Sequence, residues 1–126
     1  MITTPDTMHI GALSERTGLS LRTLRHYDEI GLVSASGRTE GGFRLYTDSD
    51  YDRLILIRRM KPLGFTLEEM TELLAVIDAL PGASAGQQWD LRVTLDRFIR
   101  ETIARRETLR NQVAMADEFL QLLQGR

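Results

Sequence analysis

The run Thr17-Gly18-Leu19-Ser20-Leu21-Arg22-Thr23-Leu24-Arg25-His26-Tyr27-Asp28-Glu29-Ile30-Gly31-Leu32 decides the fold. Before it, Ile10, Ala12 and Leu13 make a short apolar stripe that reads as one helix, stopped by Gly18. Two residues later Ser20 is a good N-cap, because its hydroxyl can accept a backbone N–H that a helix start leaves unsatisfied. A second helix is therefore expected over 21–30, with Gly31 as its left-handed cap. Two short helices meeting across a tight, glycine-marked turn have the spacing of a helix-turn-helix.

Upstream, residues 1–7 are polar and uncapped and read as a mobile tail, with structure beginning near Met8. Downstream, Leu32-Val33 and Phe43-Arg44-Leu45-Tyr46 are strand-like and flank a serine- and glycine-rich stretch. This predicts a hairpin whose tight return uses Gly41-Gly42. Thr47 then caps a helix to about Lys61, with Tyr51, Leu54, Ile55 and Ile57 as apolar contacts and Pro62 and Gly64 at its end. Thr66-Leu67-Glu68-Glu69 is a capping box, and Leu67, Met70, Leu73, Leu74, Ile77 and Leu80 follow at helical spacing. Helix, turn, helix and hairpin in that order make a winged helix, placed at 8–80.

A break of small residues at 81–87 reads as a linker. From Gln88 to Leu123 there is neither proline nor glycine, which predicts one helix of about 54 Å at 1.5 Å per residue. Its seam runs through Leu95, Ile99, Thr102, Arg106, Leu109, Val113, Ala116, Leu120 and Leu123 in alternating steps of four and three, with Thr102 and Arg106 as interruptions. A helix this long cannot bury a seam against itself. The segment 88–124 is expected to pair with a second copy as a coiled coil, or else to fold back on the head.

Composition bounds the function. The chain has 126 residues, 42% of them hydrophobic and 27% charged, with three prolines, which reads as globular and helix-rich. The absence of cysteine removes disulfides and thiolate metal sites. No apolar run approaches the ~20 residues of a membrane span, and the first eight residues lack signal-peptide character, so the expected place is the cytoplasm, away from membranes. A net charge of −2 argues against a generic polycation. Between Arg16 and Lys61, however, nine basic residues stand against six acidic ones, an asymmetry compatible with phosphate contact.

On the second helix Leu21 and Leu24 are expected to face the core, leaving Arg22, Thr23 and His26 on the outer face. Arg22 can meet phosphate or a guanine edge, and Thr23 a phosphate or a thymine methyl. Tyr27 can reach phosphate from a half-buried ring or belong to the core. His26 is a base reader or an ordinary surface residue, and Arg25 and Glu29 are spaced to pair. Arg38 and Arg44 are placed to track a backbone from the hairpin. Tyr46 can bond phosphate or pack beneath the hairpin. Arg58, Arg59 and Lys61 end the third helix, where they also suit its dipole. For an enzyme the inventory is poor: only His9 and His26 can be neutral-pH bases, and no nucleophile elbow or phosphate-cradling loop is present. Asp48, Asp50 and Asp52 lack the glycine and distal glutamate of a calcium loop and read as helix-start charges. No catalytic, metal or cofactor residue is expected.

In this order, residues 10–13, 17–32, the hairpin Arg38-Thr39-Glu40-Gly41-Gly42-Phe43-Arg44-Leu45-Tyr46 and Leu63-Gly64-Phe65-Thr66-Leu67-Glu68-Glu69 resemble the MerR family of bacterial regulators. The resemblance covers residues 9 to about 78. It implies a mainly α fold, a winged helix-turn-helix followed by a long helix forming an antiparallel coiled coil in a homodimer. It implies promoter DNA as partner, bound at a palindromic site and distorted so as to control RNA polymerase, with Arg22, Thr23, His26 and Tyr27 as recognition contacts, Arg38 and Arg44 as wing contacts and Lys61 on the backbone. His26 departs from the tyrosine often found there, and Pro62 beside Lys61 is unusual. The cysteines of metal- and redox-sensing relatives are missing, and no large effector domain is expected. An unidentified small effector is a candidate partner, with Trp89 either core or the wall of its site. A bending factor without effector and a coiled-coil protein adaptor are the other readings.

Overall fold

The computed structural model describes residues 6–126. The chain divides into two compact units, the first ending at Leu74 and the second running from Ala75 to Arg126.

The first unit opens with β1 (Thr7–His9) and α1 (Ile10–Thr17), followed by α2 (Leu21–Glu29). Gly18 ends α1 at φ +73°, its N–H donating to the Ser14 carbonyl. Ser20 caps α2 as the sequence predicts, its hydroxyl accepting from the Thr23 N–H at 3.1 Å. At the far end of α2 the Leu32 N–H donates to the Tyr27 carbonyl and the Gly31 N–H to that of Asp28, a Schellman closure with Gly31 at φ +75°. This corrects the strand expected at Leu32-Val33. Those residues complete the helix cap, and Val33 drops into the core.

The hairpin is instead β2 (Gly37–Arg38) against β3 (Arg44–Thr47), with Gly42 at φ +84° in the return. The sheet has a third, antiparallel strand that the sequence reading missed: β1 pairs with the other edge of β3, Thr7 opposite Thr47 and His9 opposite Leu45. Three residues carry too little pattern to be read as a strand, and their partner lies about forty positions away. The tail expected over 1–7 thus ends in an ordered strand at Thr7, and 1–5 lie outside the described residues.

Thr47 starts α3 (Asp48–Met60) with a full capping box: its side chain accepts from the Asp50 N–H and the Asp50 carboxylate accepts from the Thr47 N–H. A 3-10 turn, Lys61–Leu63, leads to Gly64 and then to α4 (Leu67–Ala79), whose predicted capping box between Thr66 and Glu69 is formed. The head core gathers Leu13, Leu24, Tyr27, Val33, Tyr46, Leu54, Ile57, Met60, Phe65, Met70 and Leu74. Leu21, expected inside, is exposed, and Leu67 is too. Arg58 fastens the helix-turn-helix from α3, donating to the Thr17 carbonyl at 2.7 Å.

In the second unit a 3-10 turn at Leu80–Gly82 precedes α5 (Ala85–Gln124), a helix of 40 residues. It starts three residues before the expected Gln88, inside the segment read as linker. Ser84 and Gln87 form a capping box that satisfies two orphan N–H groups and offsets the cost of Gly86 in the first turn. Of the predicted seam, Leu95 is half-buried and Ile99, Leu109, Val113, Ala116, Leu120 and Leu123 are exposed. Met115, Phe119 and Leu122 add further exposed apolar surface near the helix end. Trp89, offered as core, is 73% exposed in this chain. No helix among the described residues is long and apolar enough to cross a membrane.

Candidate nucleic-acid interface

The exposed face of α2 is the floor of the candidate interface. Helical periodicity sends Leu24 and Tyr27 into the core and leaves Arg22 and His26 exposed, with Thr23 half-buried. Together with Arg25, Glu29 and Lys61 these residues, Tyr27 included, line one open concavity of about 750 Å³. Lys61 continues α3 by one residue, its N–H donating to the Ile57 carbonyl, and lines the same concavity with Pro62 next in the chain. Three basic side chains and a histidine thus face one acidic side chain in a groove-shaped surface. Five of the eight sequence-predicted contact residues, Arg22, Thr23, His26, Tyr27 and Lys61, are brought together here.

The other three lie in the wing. Tyr46 is 1% exposed and packs beneath it, with its hydroxyl buried and unbonded among the described residues. Burial, the nearby Asp28 carboxylate and, less strongly, that of Asp50 raise its pKa against the opposing pull of Arg44 and Arg38. Arg38 and Arg44 both turn towards α2. Arg44 Nε donates to Asp28 Oδ2 at 2.7 Å and Arg38 Nη2 donates to the same oxygen at 3.2 Å. Asp28 Oδ1 accepts the Ala35 N–H at 2.8 Å. Burial alone would raise the Asp28 carboxyl. The hydrogen bonds from Arg44 and Ala35, with the charges of Arg44 and Arg38, outweigh it and hold the group below its ordinary value. The same bond raises the pKa of Arg44 against its own desolvation.

A second carboxylate anchors the base of the wing. Asp50, 3% exposed, accepts from the Ser36 hydroxyl at 2.6 Å as well as from the Thr47 N–H. Asp28 and Asp50 were not singled out as site residues. The capping pattern Thr47-x-x-Asp50 was a local signal for the second, whereas nothing local ties Asp28 to arginines 10 and 16 residues away. Among the described residues no group of three or more His, Asp or Glu is placed to hold a metal ion.

The model of the MerR HTH family regulatory proteins matches residues 8–76, more than half of the chain. The chain belongs to the MerR family. A second MerR model, described as DNA binding, matches residues 51–118. The mercuric resistance operon regulatory protein of Bacillus cereus is 45% identical over 69 residues, 55% of this chain and 52% of that protein. The chain thus spans about half the length of this relative. The HTH-type transcriptional regulator HmrR of Rhizobium leguminosarum bv. viciae is 39% identical over 110 residues, covering 84% of each. Among solved structures, HiNmlR, a MerR family regulator lacking the sensor domain and bound to promoter DNA, superposes with a TM-score of 0.65 at 27% identity, covering 94% of this chain and 86% of that one. All three of these similar proteins are regulators.

Proposed function

We propose that this MerR-family chain is a sequence-specific, promoter-binding transcriptional regulator, not an enzyme, that acts as a homodimer. The observation that carries the reading is the concavity in which Arg22, Thr23, His26 and Lys61 converge on one face of α2. Its charge suits phosphate and leaves polar groups for base edges. The DNA-bound state of the similar HiNmlR supports the same use of the fold. The exposed seam of α5, Ile99, Leu109, Val113, Leu120 and Leu123, supports pairing with a second copy, which would bring two recognition helices to a palindromic site. Distortion of the duplex between the half-sites would then act on RNA polymerase, with part of the specificity coming from central base-pair deformability. The experiment is selection of bound duplex from the source genome followed by footprinting. A protected palindrome between promoter elements is the expected result, and equal affinity for selected and random DNA refutes the proposal.

A further inference from the structure

Both wing arginines carry the same charge and sit on adjacent, paired strands, since Arg38 of β2 lies opposite Arg44 of β3. Their surroundings differ. The Arg44 side chain is 22% exposed and gives its Nε to Asp28 in the shorter bond, whereas the Arg38 side chain is 50% exposed and makes the longer one. Arg38 also spends Nη1 on the Gly42 carbonyl at 3.0 Å, within the wing itself, so it can swing from α2 without leaving the hairpin. Asp28 belongs to the recognition helix, and its other oxygen pins the backbone at Ala35, where the chain enters the wing. A phosphate approaching the wing competes with this one carboxylate for two guanidiniums. The exposed, longer bond yields first, because water already screens it and little is desolvated by the exchange.

From this we infer that Asp28 is a positioning residue that divides the labour of the wing: it holds Arg44 as an internal strut fixing the angle between wing and recognition helix, and leaves Arg38 as the phosphate ligand. The inference rests on the DNA-binding reading above and revises the expectation that both arginines grip the backbone. A strut of this kind contributes to selectivity, because a wing fixed relative to α2 reaches phosphate only when α2 is in register with its bases. Released from the strut, Arg44 becomes a second phosphate ligand that binds any sequence.

The salt dependence of binding reads the two roles separately, since each phosphate contact contributes ~0.9 to the slope of log K against log salt concentration. The assay uses the full chain with the selected duplex and with a random-sequence duplex. Arg38→Ala is expected to flatten the slope by ~0.9 per protomer, while Arg44→Ala leaves the slope unchanged and narrows the ratio of selected to random affinity. Asp28→Asn steepens the slope by ~0.9 per protomer and narrows the same ratio, and Asp28→Glu restores both in part. Equal flattening by Arg38→Ala and Arg44→Ala overturns the division of labour, as does an Asp28→Asn protein with unaltered slope and ratio. Should Asp28→Asn fail to fold by circular dichroism, the comparison of the two arginine variants decides alone. Wild-type protein without salt-dependent duplex binding overturns the DNA-binding reading itself, and the inference with it, so the two failures are told apart by the wild-type curve.

Discussion

Two glycines bound the recognition helix with nearly the same backbone, Gly18 at φ +73° and Gly31 at φ +75°, and their surroundings predict different costs for the same substitution. A Cβ at Gly31 meets nothing within 4 Å. Gly31→Ala therefore carries only the left-handed penalty of a side chain, about 1–2 kcal/mol. A Cβ at Gly18 stands 3.3 Å from three atoms of the Arg58 guanidinium. That group is not free to give way, since it donates to the Thr17 carbonyl at 2.7 Å. Displacing it forfeits a charge-assisted bond worth ~1.5–3 kcal/mol when sheltered, discounted to about 1 kcal/mol for the exposed Arg58. Gly18→Ala should thus cost about 2–3 kcal/mol, some 1 kcal/mol more than Gly31→Ala. Urea unfolding followed by far-ultraviolet circular dichroism, at one fixed protomer concentration, measures both. In an Arg58→Ala background the excess at position 18 should vanish, closing a double-mutant cycle. Equal costs at the two glycines, or an excess that survives Arg58→Ala, refute the claim that α3 locks the turn through Arg58.

Other consequences are open to simpler measurements. Ser84→Ala removes the cap of α5 and should cost about 1 kcal/mol, with faster amide exchange over residues 85–88 and little change beyond. Leu109→Glu with Val113→Glu places charge in the exposed seam and should give a monomer in sedimentation equilibrium; a dimer of undiminished affinity removes the seam from the interface. The carboxyl of Asp28 is held low in the folded state, so its contribution is complete above its unfolded value near ~3.9 and is lost as pH falls through the lower folded one. Asp28→Asn should therefore be less stable than wild type at pH 6 by about 1.5–3 kcal/mol, and the gap should close with acidification below about pH 4. A gap independent of pH would assign the loss to shape and not to charge.

Local chemistry made much of this legible beforehand. Ser20, Gly31, Thr47 and Thr66 announce helix ends by the hydrogen bonds their types can make, and each is found at its end. Apolar spacing placed Leu24, Leu54, Ile57, Met70 and Leu73 inside. The failures lie in backbone pairings, one remote and one local, that residue type alone does not announce. β1 exists because β3 offers it an edge, and Leu32-Val33 looks like a strand until the Schellman bonds to Tyr27 claim its amides. At the start of α5 the small residues of 81–86 read as a break, and the capping pair Ser84 and Gln87 was the local signal overlooked. In the candidate site, the residues of α2 were found because one helix face is readable from spacing. Lys61 was placed by resemblance, and its arrival in the same concavity depends on how the end of α3 packs beside α2, which no periodicity reports. Of the two carboxylates that set the wing, Asp50 had a local capping signal, whereas Asp28 was invisible as such because its partners are spread from Ala35 to Arg44.

Those carboxylates also resolve an apparent contradiction between an acidic chain and a phosphate-binding face. A net charge of −2 would repel a duplex if the charges were smeared over the surface. For three acids of the head they are not. Asp28 is satisfied by two arginines and a backbone amide, Asp50 by Ser36, the Thr47 amide and Arg53, and Asp48 by Arg16. Each of these acids is neutralised locally by groups of its own unit, so its field falls off as that of a pair and not of a free charge. In the concavity only Glu29 opposes Arg22, Arg25 and Lys61. The potential that a phosphate meets at ~8–10 Å, about one screening length at physiological salt, is therefore set by the uncompensated bases of α2 and the turn after α3. Net charge is the wrong measure for such a face. Neutralising Glu29 as Glu29→Gln should accordingly speed association at low salt and fade above about 0.2 M, whereas neutralising Asp48, which frees Arg16 outside the concavity, should change association less. If the two substitutions act alike, the field is that of the whole chain and the argument from local pairing fails.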